Sequence, residues 1–377
     1  MRFRLAAPFL LLLVCVQFVP AADPPPLFYA VISDTQRPDD DPLPEFAWAV
    51  ERVNAISPAC VLFPGDLTNT ATQNQYEHFT AVADRLEVPI HYAVGNHGAV
   101  PGEDVYRDLF QQAVGVPTWY HEQIEGWHVV TLDSVRFVEG ELQHDGIVDA
   151  EQLDWLRSEL ESIPTSEPII LMEHHPIAIE HDGLQNADEV LALFDGHYLA
   201  YTLTGHFHRN AVMTDDTGLL HLITGSLSFS LEKAVREIGY RLVSTVGRDM
   251  WTCWIEHGDD PSLDVVDIVE GPGDVADRWS GGPTLGTPIP NDSRLALRVG
   301  YVGEGFRLKC GARILGNLPA STEAADALVV LSEKNSLYLA EQESLSLTVK
   351  PDGPTHLSHI TICASEADWE HFTLPSP

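Results

Sequence analysis

The chain has 377 residues, in which 56 acidic side chains stand against 21 basic ones for a net charge of −35. At roughly 150 residues per domain that length accommodates two or three domains, and so anionic a surface repels phosphate backbones, so no nucleic-acid polymer is expected as a partner. Apolar residues make up 44% of the sequence and charged residues 20%, which argues against wholesale disorder.

The first segment reads as a leader. Arg2 and Arg4 precede an apolar run from Leu5 to Val19, and Val19-Pro20-Ala21-Ala22 offers small residues for cleavage. That plan predicts a signal peptide over residues 1–21 and a product that is secreted, periplasmic or at the cell surface, with an uncleaved anchor as the alternative. The run is short for a membrane span, and no later stretch reaches ~18 uninterrupted apolar residues, so no stable span is expected. Export permits disulfides. Of Cys60, Cys253, Cys310 and Cys363, the last two share a C-terminal segment and form the expected pair.

The next elements alternate. Leu27 to Ser33 is a short β-type apolar run that stops at Asp34, and Phe46, Val50, Val53 and Ile56 then recur at helical spacing. Cys60 to Phe63 is a second strand, ending at Gly65-Asp66. A helix is expected from Tyr76 to Leu86, and Ile90 to Val94 is a third strand, ending at Gly95-Asn96-His97. Trp127 to Leu132 is a fourth. Asp149 caps a helix with Gln152 at the capping-box position and Leu153, Leu156 and Leu160 on its buried face. Ile169 to Met172 runs into Glu173-His174-His175-Pro176. A helix from Asp188 to Phe194 precedes Tyr201 to Thr204, which is followed by Gly205-His206-Phe207-His208. Strand–helix alternation with polar residues where strands stop implies an α/β layered fold with its site on one rim of a sheet.

Residues 271–290 contain five Gly and four Pro and read as a linker. Beyond them Leu295, Leu297, Val299 and Tyr301 alternate with other residues, as do Leu345, Leu347 and Val349, so residues 291–377 are expected to form a small β-sandwich. The domains expected are thus 22–270, the linker 271–290, and 291–377.

Each polar cluster alone is weak, since a Gly-Asp after a strand is most often a turn. The order is informative. Asp34, Asp66, Asn96 with His97, His174, and His206 with His208 all follow predicted strands, taken here as belonging to one sheet, and can converge on its rim. Carboxylates, imidazoles and one amide oxygen form a mixed donor set suited to Mn, Fe, Co or Zn, and a shared carboxylate can hold two such ions roughly 3.5–4 Å apart.

Taken in order, Asp34-Thr35-Gln36, Gly65-Asp66, Gly95-Asn96-His97-Gly98, His174-His175-Pro176 and Gly205-His206-Phe207-His208 resemble the motif series of the calcineurin-like metallophosphoesterases, in the subgroup with Asp-x-Gln in place of Asp-x-His. The resemblance covers about residues 27–258. It implies a four-layer α/β/β/α sandwich, here followed by a small all-β domain, and a binuclear centre. By that resemblance Asp34, Gln36 and His208 would hold one ion and Asn96, His174 and His206 the other, with Asp66 between them. A hydroxide bridging the ions would attack the phosphorus of a phosphate mono- or diester. Asn96 and His97 would face the phosphate, His97 as cation or general acid, and Arg209, like Arg37, would contact substrate oxygens or serve as a structural pair.

Two positions depart from the family pattern. Gln36 supplies a neutral amide where imidazole is usual, which should weaken its ion. Gly98 lacks the carboxylate that normally orients the preceding histidine, a loss of about 10–100-fold by analogy with the groups that orient metal ligands. The leading expectation is an exported metal-dependent phosphoesterase. The alternative, resting on Gln36, Gly98 and the extra β segment, is a catalytically idle, metal-stabilised binding or surface protein. His175 is expected to flank the site, and His91, His128 and His221 to belong to the scaffold.

Overall fold

The computed structural model describes residues 23–37, 43–228, 238–259, 263–283, 294–342, 344–365 and 367–376. The expected leader and residues 284–290 of the expected linker lie outside the described residues.

Leu27–Val31 is a strand because its run of apolar and aromatic residues finds apolar partners on both faces. Phe28 and Ala30 belong to one cluster of buried side chains, which also holds Phe46, Val50, Val53 and Phe79, while Leu27, Tyr29 and Val31 belong to another with Trp127, Ile170 and Leu203. A strand buried on both sides reads as a continuous apolar stretch rather than an alternation. It runs parallel to Val61–Phe63, which runs parallel to Ile90–Tyr92. On its other side it pairs antiparallel with Gly239–Val246, followed by Asp249–Glu256 and, at the edge, Glu370–Thr373. The second sheet has Trp127–Thr131, Ile169–Met172, Leu199–Thr204 and Leu220–Ile223 parallel in that order, closed by antiparallel Tyr120–Ile124 and Ala211–Thr214.

Helices Pro44–Ile56 and Gln73–Ala83 cover the first sheet, with Phe46 and Phe79 stacked at 5.3 Å and Phe63 edge-on to both. Each such ring, fully buried, contributes about 1.5–3 kcal/mol. Helices Ala150–Leu160 and Ala187–Leu193 bury Leu153, Leu156, Leu160 and Val190 against the second sheet. Tyr29 and Tyr201 meet hydroxyl to hydroxyl at 2.8 Å between the sheets. The layers are α/β/β/α, and the strand ends that carry the motifs belong to two facing sheets, not to one. Short buried strands look alike in sequence, so nothing local separates the first three from the later ones.

The β-rich unit begins earlier than the composition implies. Asp264–Val275 is a strand paired with Thr355–Ser365, so residues 271–275 belong to a sheet, and Trp279–Gly281 pairs with Leu347–Pro351. The ladder skips between Glu270 and Gly273, so Gly271 and Pro272 mark a bulge within the strand, a place where both residue types are tolerated. Two four-stranded sheets form the sandwich, with a helix at Glu333–Ala340.

The sandwich is bolted to the first sheet's unit. Arg298 donates to the carbonyls of Ile56 (2.8 Å) and Ser57 (2.6 Å) at the end of helix Pro44–Ile56, and Ser244 Oγ donates to Leu328 O (2.5 Å). Ala296, Leu328, Val330, Cys363 and Trp369 join the core beside the first sheet. This disposes of the expected disulfide: Cys363 faces that core, whereas Cys310 lies inside the sandwich, and neither is in a disulfide.

Candidate metal centre

Six of the candidate residues are at most 5% exposed: Asp34, Gln36, Asp66, Asn96, His174 and His208. Asp34, Asp66 and Asn96 follow parallel strands of the first sheet, and His174, His206 and His208 follow parallel strands of the second, so the two rims meet face to face. Asp34, Asp66, His206 and His208 all take left-handed backbone, with φ of 55°, 52°, 71° and 50°. Four non-glycine residues in that region, at about 1–3 kcal/mol each, mark a turn geometry held by its surroundings. Gly95 and Gly205 are required by proximity: a Cβ at the first would overlap the Asp66 carboxylate, and at the second Ser33 and Asp34.

The donors fall into two groups that share Asp66. Asp34 Oδ1 lies 3.3 Å from His208 Nε2, and Gln36 Nε2 lies 2.9 Å from His208 Nε2 and 3.1 Å from Asp66 Oδ2. In the second group His174 Nε2 is 3.3 Å from the same Asp66 Oδ2 and 3.1 Å from Asn96 Oδ1, while His206 Nδ1 is 3.2 Å from Asn96 Oδ1 and 3.3 Å from His174 Nε2. Asp66 Oδ1 is occupied elsewhere, accepting the main-chain N–H of His97 at 2.9 Å, so Oδ2 alone faces both groups. The remaining atoms are oriented from behind. His174 Nδ1 is 2.8 Å from Pro64 O, the main-chain N–H of His206 donates to Asp34, and Ser33 Oγ and Ser226 Oγ donate to the carboxylate and the carbonyl of Asp34. A donor nitrogen fixed through its partner nitrogen is the usual arrangement around metal-binding imidazoles.

The electrostatics fit a cation. Burial pulls His174 down, but the Asp66 carboxylate outweighs it and raises the ring to about 9. Asp66 is held well below the usual carboxylate range by His174 despite its own burial. His206 is lowered to about 4 by burial and by the charge on His174. Without metal, the Asp66 carboxylate thus favours a proton on His174, which a divalent ion would displace. The side-chain oxygens and nitrogens of Asp34, Asp66 and His208 already lie within 4.8 Å of one another. Gln36 Oε1 is buried and has no hydrogen-bond partner among the described residues. Half a turn of that amide would exchange Nε2 for Oε1 and give an ion between Asp66 and His208 a neutral oxygen donor.

His97 is half-buried, and its Nδ1 lies 2.8 Å from the carbonyl of Asn69. The orienting acceptor missing at Gly98 is therefore supplied by the main chain. A Cβ at Gly98 would sit 3.1 Å from Val94 Cγ2 and 3.6 Å from Tyr76 Oη. His175 does not join the donor groups: its Nδ1 is 2.8 Å from Ser134 Oγ and its ring packs against His206 at 4.5 Å. Arg209 is exposed beside His208, and Arg37 pairs with Glu45 at 2.9 Å. Ser33, Asn69, Ser134 and Ser226 were not foreseen. A serine hydroxyl or main-chain carbonyl that acts through a ligand leaves no pattern in sequence.

The model of the family described as calcineurin-like phosphoesterase matches residues 29–210, from the first strand to just past His208. These residues match the calcineurin-like phosphoesterase family. The chain is 30% identical over 172 residues to a probable cyclic nucleotide phosphodiesterase of Rhodococcus erythropolis, covering 42% of this chain and 54% of that protein. It is also 30% identical over 158 residues to the 3′,5′-cyclic adenosine monophosphate phosphodiesterase CpdA of Escherichia coli, covering 40% and 54%. The chain thus spans about half the length of these relatives. A dimetal phosphatase from Danio rerio shares the fold at 15% identity, with a TM-score of 0.50 over 64% of this chain and 98% of that one. The matched residues carry both donor groups, and the β-sandwich lies outside them.

Proposed function

We propose that this chain is an exported binuclear phosphoesterase acting on small phosphate esters, with cyclic nucleotides and other diesters as the first substrates to try. One observation carries the reading. Asp66 presents a single oxygen, Oδ2, to two donor groups at once, Asp34–Gln36–His208 and Asn96–His174–His206. A shared carboxylate is what a two-ion site needs. The names of the two relatives favour diesters, and the leader-like residues 1–21 favour export.

Two divalent ions bound there would polarise phosphoryl oxygens and lower the pKa of an attacking water. The protein's own residues do the rest. Asp34, Gln36 and His208 would hold one ion and Asn96, His174 and His206 the other, with Asp66 common to both. His97 donates Nδ1–H to Asn69 O, so Nε2 is the atom that can carry a proton toward the leaving oxygen. The ring's half-buried position suits that role. Arg209, exposed beside His208, would meet an outlying substrate oxygen.

The test combines metal analysis with a panel of mono- and diesters. Up to two transition-metal ions per chain are expected, with loss of turnover on chelation and loss of both ions in Asp66→Asn. Full turnover in strong chelator would refute the reading. His97→Ala should lower turnover on alkyl esters by ~10²–10⁴-fold while sparing nitrophenyl esters, whose leaving group departs unprotonated.

A further inference from the structure

Gln75 is the third residue of helix Gln73–Ala83, whose cap, Thr72, accepts the main-chain N–H of Gln75 at 3.2 Å. In a capping box the side chain at that position turns back to the N–H of the cap itself. Here it reaches further. Gln75 Oε1 accepts the main-chain N–H of Asn69 at 3.0 Å and that of Thr70 at 2.7 Å, while its Nε2 donates to Thr70 Oγ1 at 3.0 Å. The side chain is buried, at 6% exposure.

The Thr70 N–H and the Asn69 C=O belong to one peptide unit. That unit is planar and trans, so its N–H and C=O point in opposite directions and cannot turn independently. Gln75 grips one side of the plane, and the other side presents its oxygen to His97 Nδ1 at 2.8 Å. The segment is otherwise strained, with Asp66 at φ 52° and Ala71 at φ 47°, neither a glycine. Such a loop keeps its shape only where its surroundings determine it. The three Gln75 hydrogen bonds do so from the helix side.

We infer that Gln75 is a positioning residue that, through the Asn69–Thr70 peptide, keeps a proton on His97 Nδ1 and aims Nε2 at the substrate, so that the second proton of the charged ring is the one delivered. With that peptide free to rotate, Nδ1 loses its acceptor and the two neutral tautomers mix. The inference rests on the reading of His97 as the proton donor for its effect on rate, but not for its effect on the ring.

The experiment compares wild type, Gln75→Leu, Gln75→Glu and His97→Ala, each in the full chain. Nitrogen NMR of the imidazoles in metal-free protein, with the His97 signals assigned from His97→Ala, reads the tautomer directly. Gln75→Leu should move Nδ1 away from its protonated position, and Gln75→Glu, which keeps the acceptor, should restore it. In the metal-loaded protein Gln75→Leu should slow alkyl phosphodiesters by about 10-fold with unchanged metal content and little change on nitrophenyl esters, and Gln75→Glu should recover most of that loss. An unmoved tautomer in Gln75→Leu overturns the inference, as does an equal loss on both ester classes. If His97→Ala itself fails to separate the two classes, the proton-donor reading falls and the nitrogen shifts alone decide Gln75.

Discussion

Glu173 is fully buried one residue before His174, and burial pushes its carboxyl up from its ordinary 4.5 to about 8. In the unfolded chain the same group ionises near the ordinary value. Between those two points the unfolded state has released a proton that the folded state keeps, so stability falls as pH rises. The contribution is fully present below pH 4.5 and is lost progressively up to about pH 8. At about 1.4 kcal/mol per pH unit, the interval amounts to about 3 kcal/mol by neutral pH and on the order of 5 kcal/mol at its upper end. Glu173→Gln keeps the shape and removes the titration. The variant should therefore match wild type near pH 4.5 and exceed it by a margin that widens by about 1.4 kcal/mol per unit, levelling off near pH 8. Urea unfolding of chelated protein from pH 5 to 9 measures that margin, and chelation matters because a bound divalent ion would replace the single charge of protonated His174 with a larger one and favour the ionised acid further. A margin independent of pH, or a variant less stable throughout the range, would show that the carboxyl is not held neutral.

Gln36→His should tighten the ion held with Asp34 and His208 on the order of tenfold and shift its preferred metal; unchanged metal titration would place Gln36 outside that ion's reach. Gly98→Asp should leave turnover on alkyl esters as it is, because Asn69 already orients His97 and the new side chain would start between Val94 and Tyr76; a clear gain in rate would contradict that geometry. A chain ending at residue 263 should aggregate, since it exposes the core face covered by Ala296, Leu328, Val330, Cys363 and Trp369 and removes the edge strand Glu370–Thr373. Sedimentation of the truncated protein decides the point. Arg298→Ala, which deletes two bonds to the end of helix Pro44–Ile56, should lower stability by about 1–3 kcal/mol in a denaturant titration without altering metal content.

The rim was legible because each candidate donor follows an apolar run that ends abruptly, and such endings survive in a single sequence. Asp34, Asp66, Asn96, His174, His206 and His208 were all found by that signal and all converge. Which runs share a sheet was not legible, because strand partners are chosen by long-range packing and leave no local mark. Gly271 and Pro272 misled for a different reason: the residues that make linkers also make bulges, and only the partner strand at His356 to His359 shows which is present. Gln152 illustrates the same ambiguity at a helix start. It stands at the capping-box position, yet its side chain bonds the main chain of Asp133 through both Oε1 and Nε2. His97 was recognised, but its orienting partner is a carbonyl, which every residue carries.

The strands Asp249–Glu256 and Glu370–Thr373 are antiparallel neighbours. Taken together they form an outsized hairpin, and the β-sandwich is its loop. A disordered loop of that length would oppose closure, but the entropy grows only logarithmically with length, and a folded loop whose two ends emerge side by side removes most of the remaining penalty. The sandwich therefore behaves as a module spliced into a turn rather than one hung from a tether. Replacing it with a short turn would rejoin the two strands directly, and the graft would need new polar residues wherever the sandwich now covers the first sheet's apolar flank.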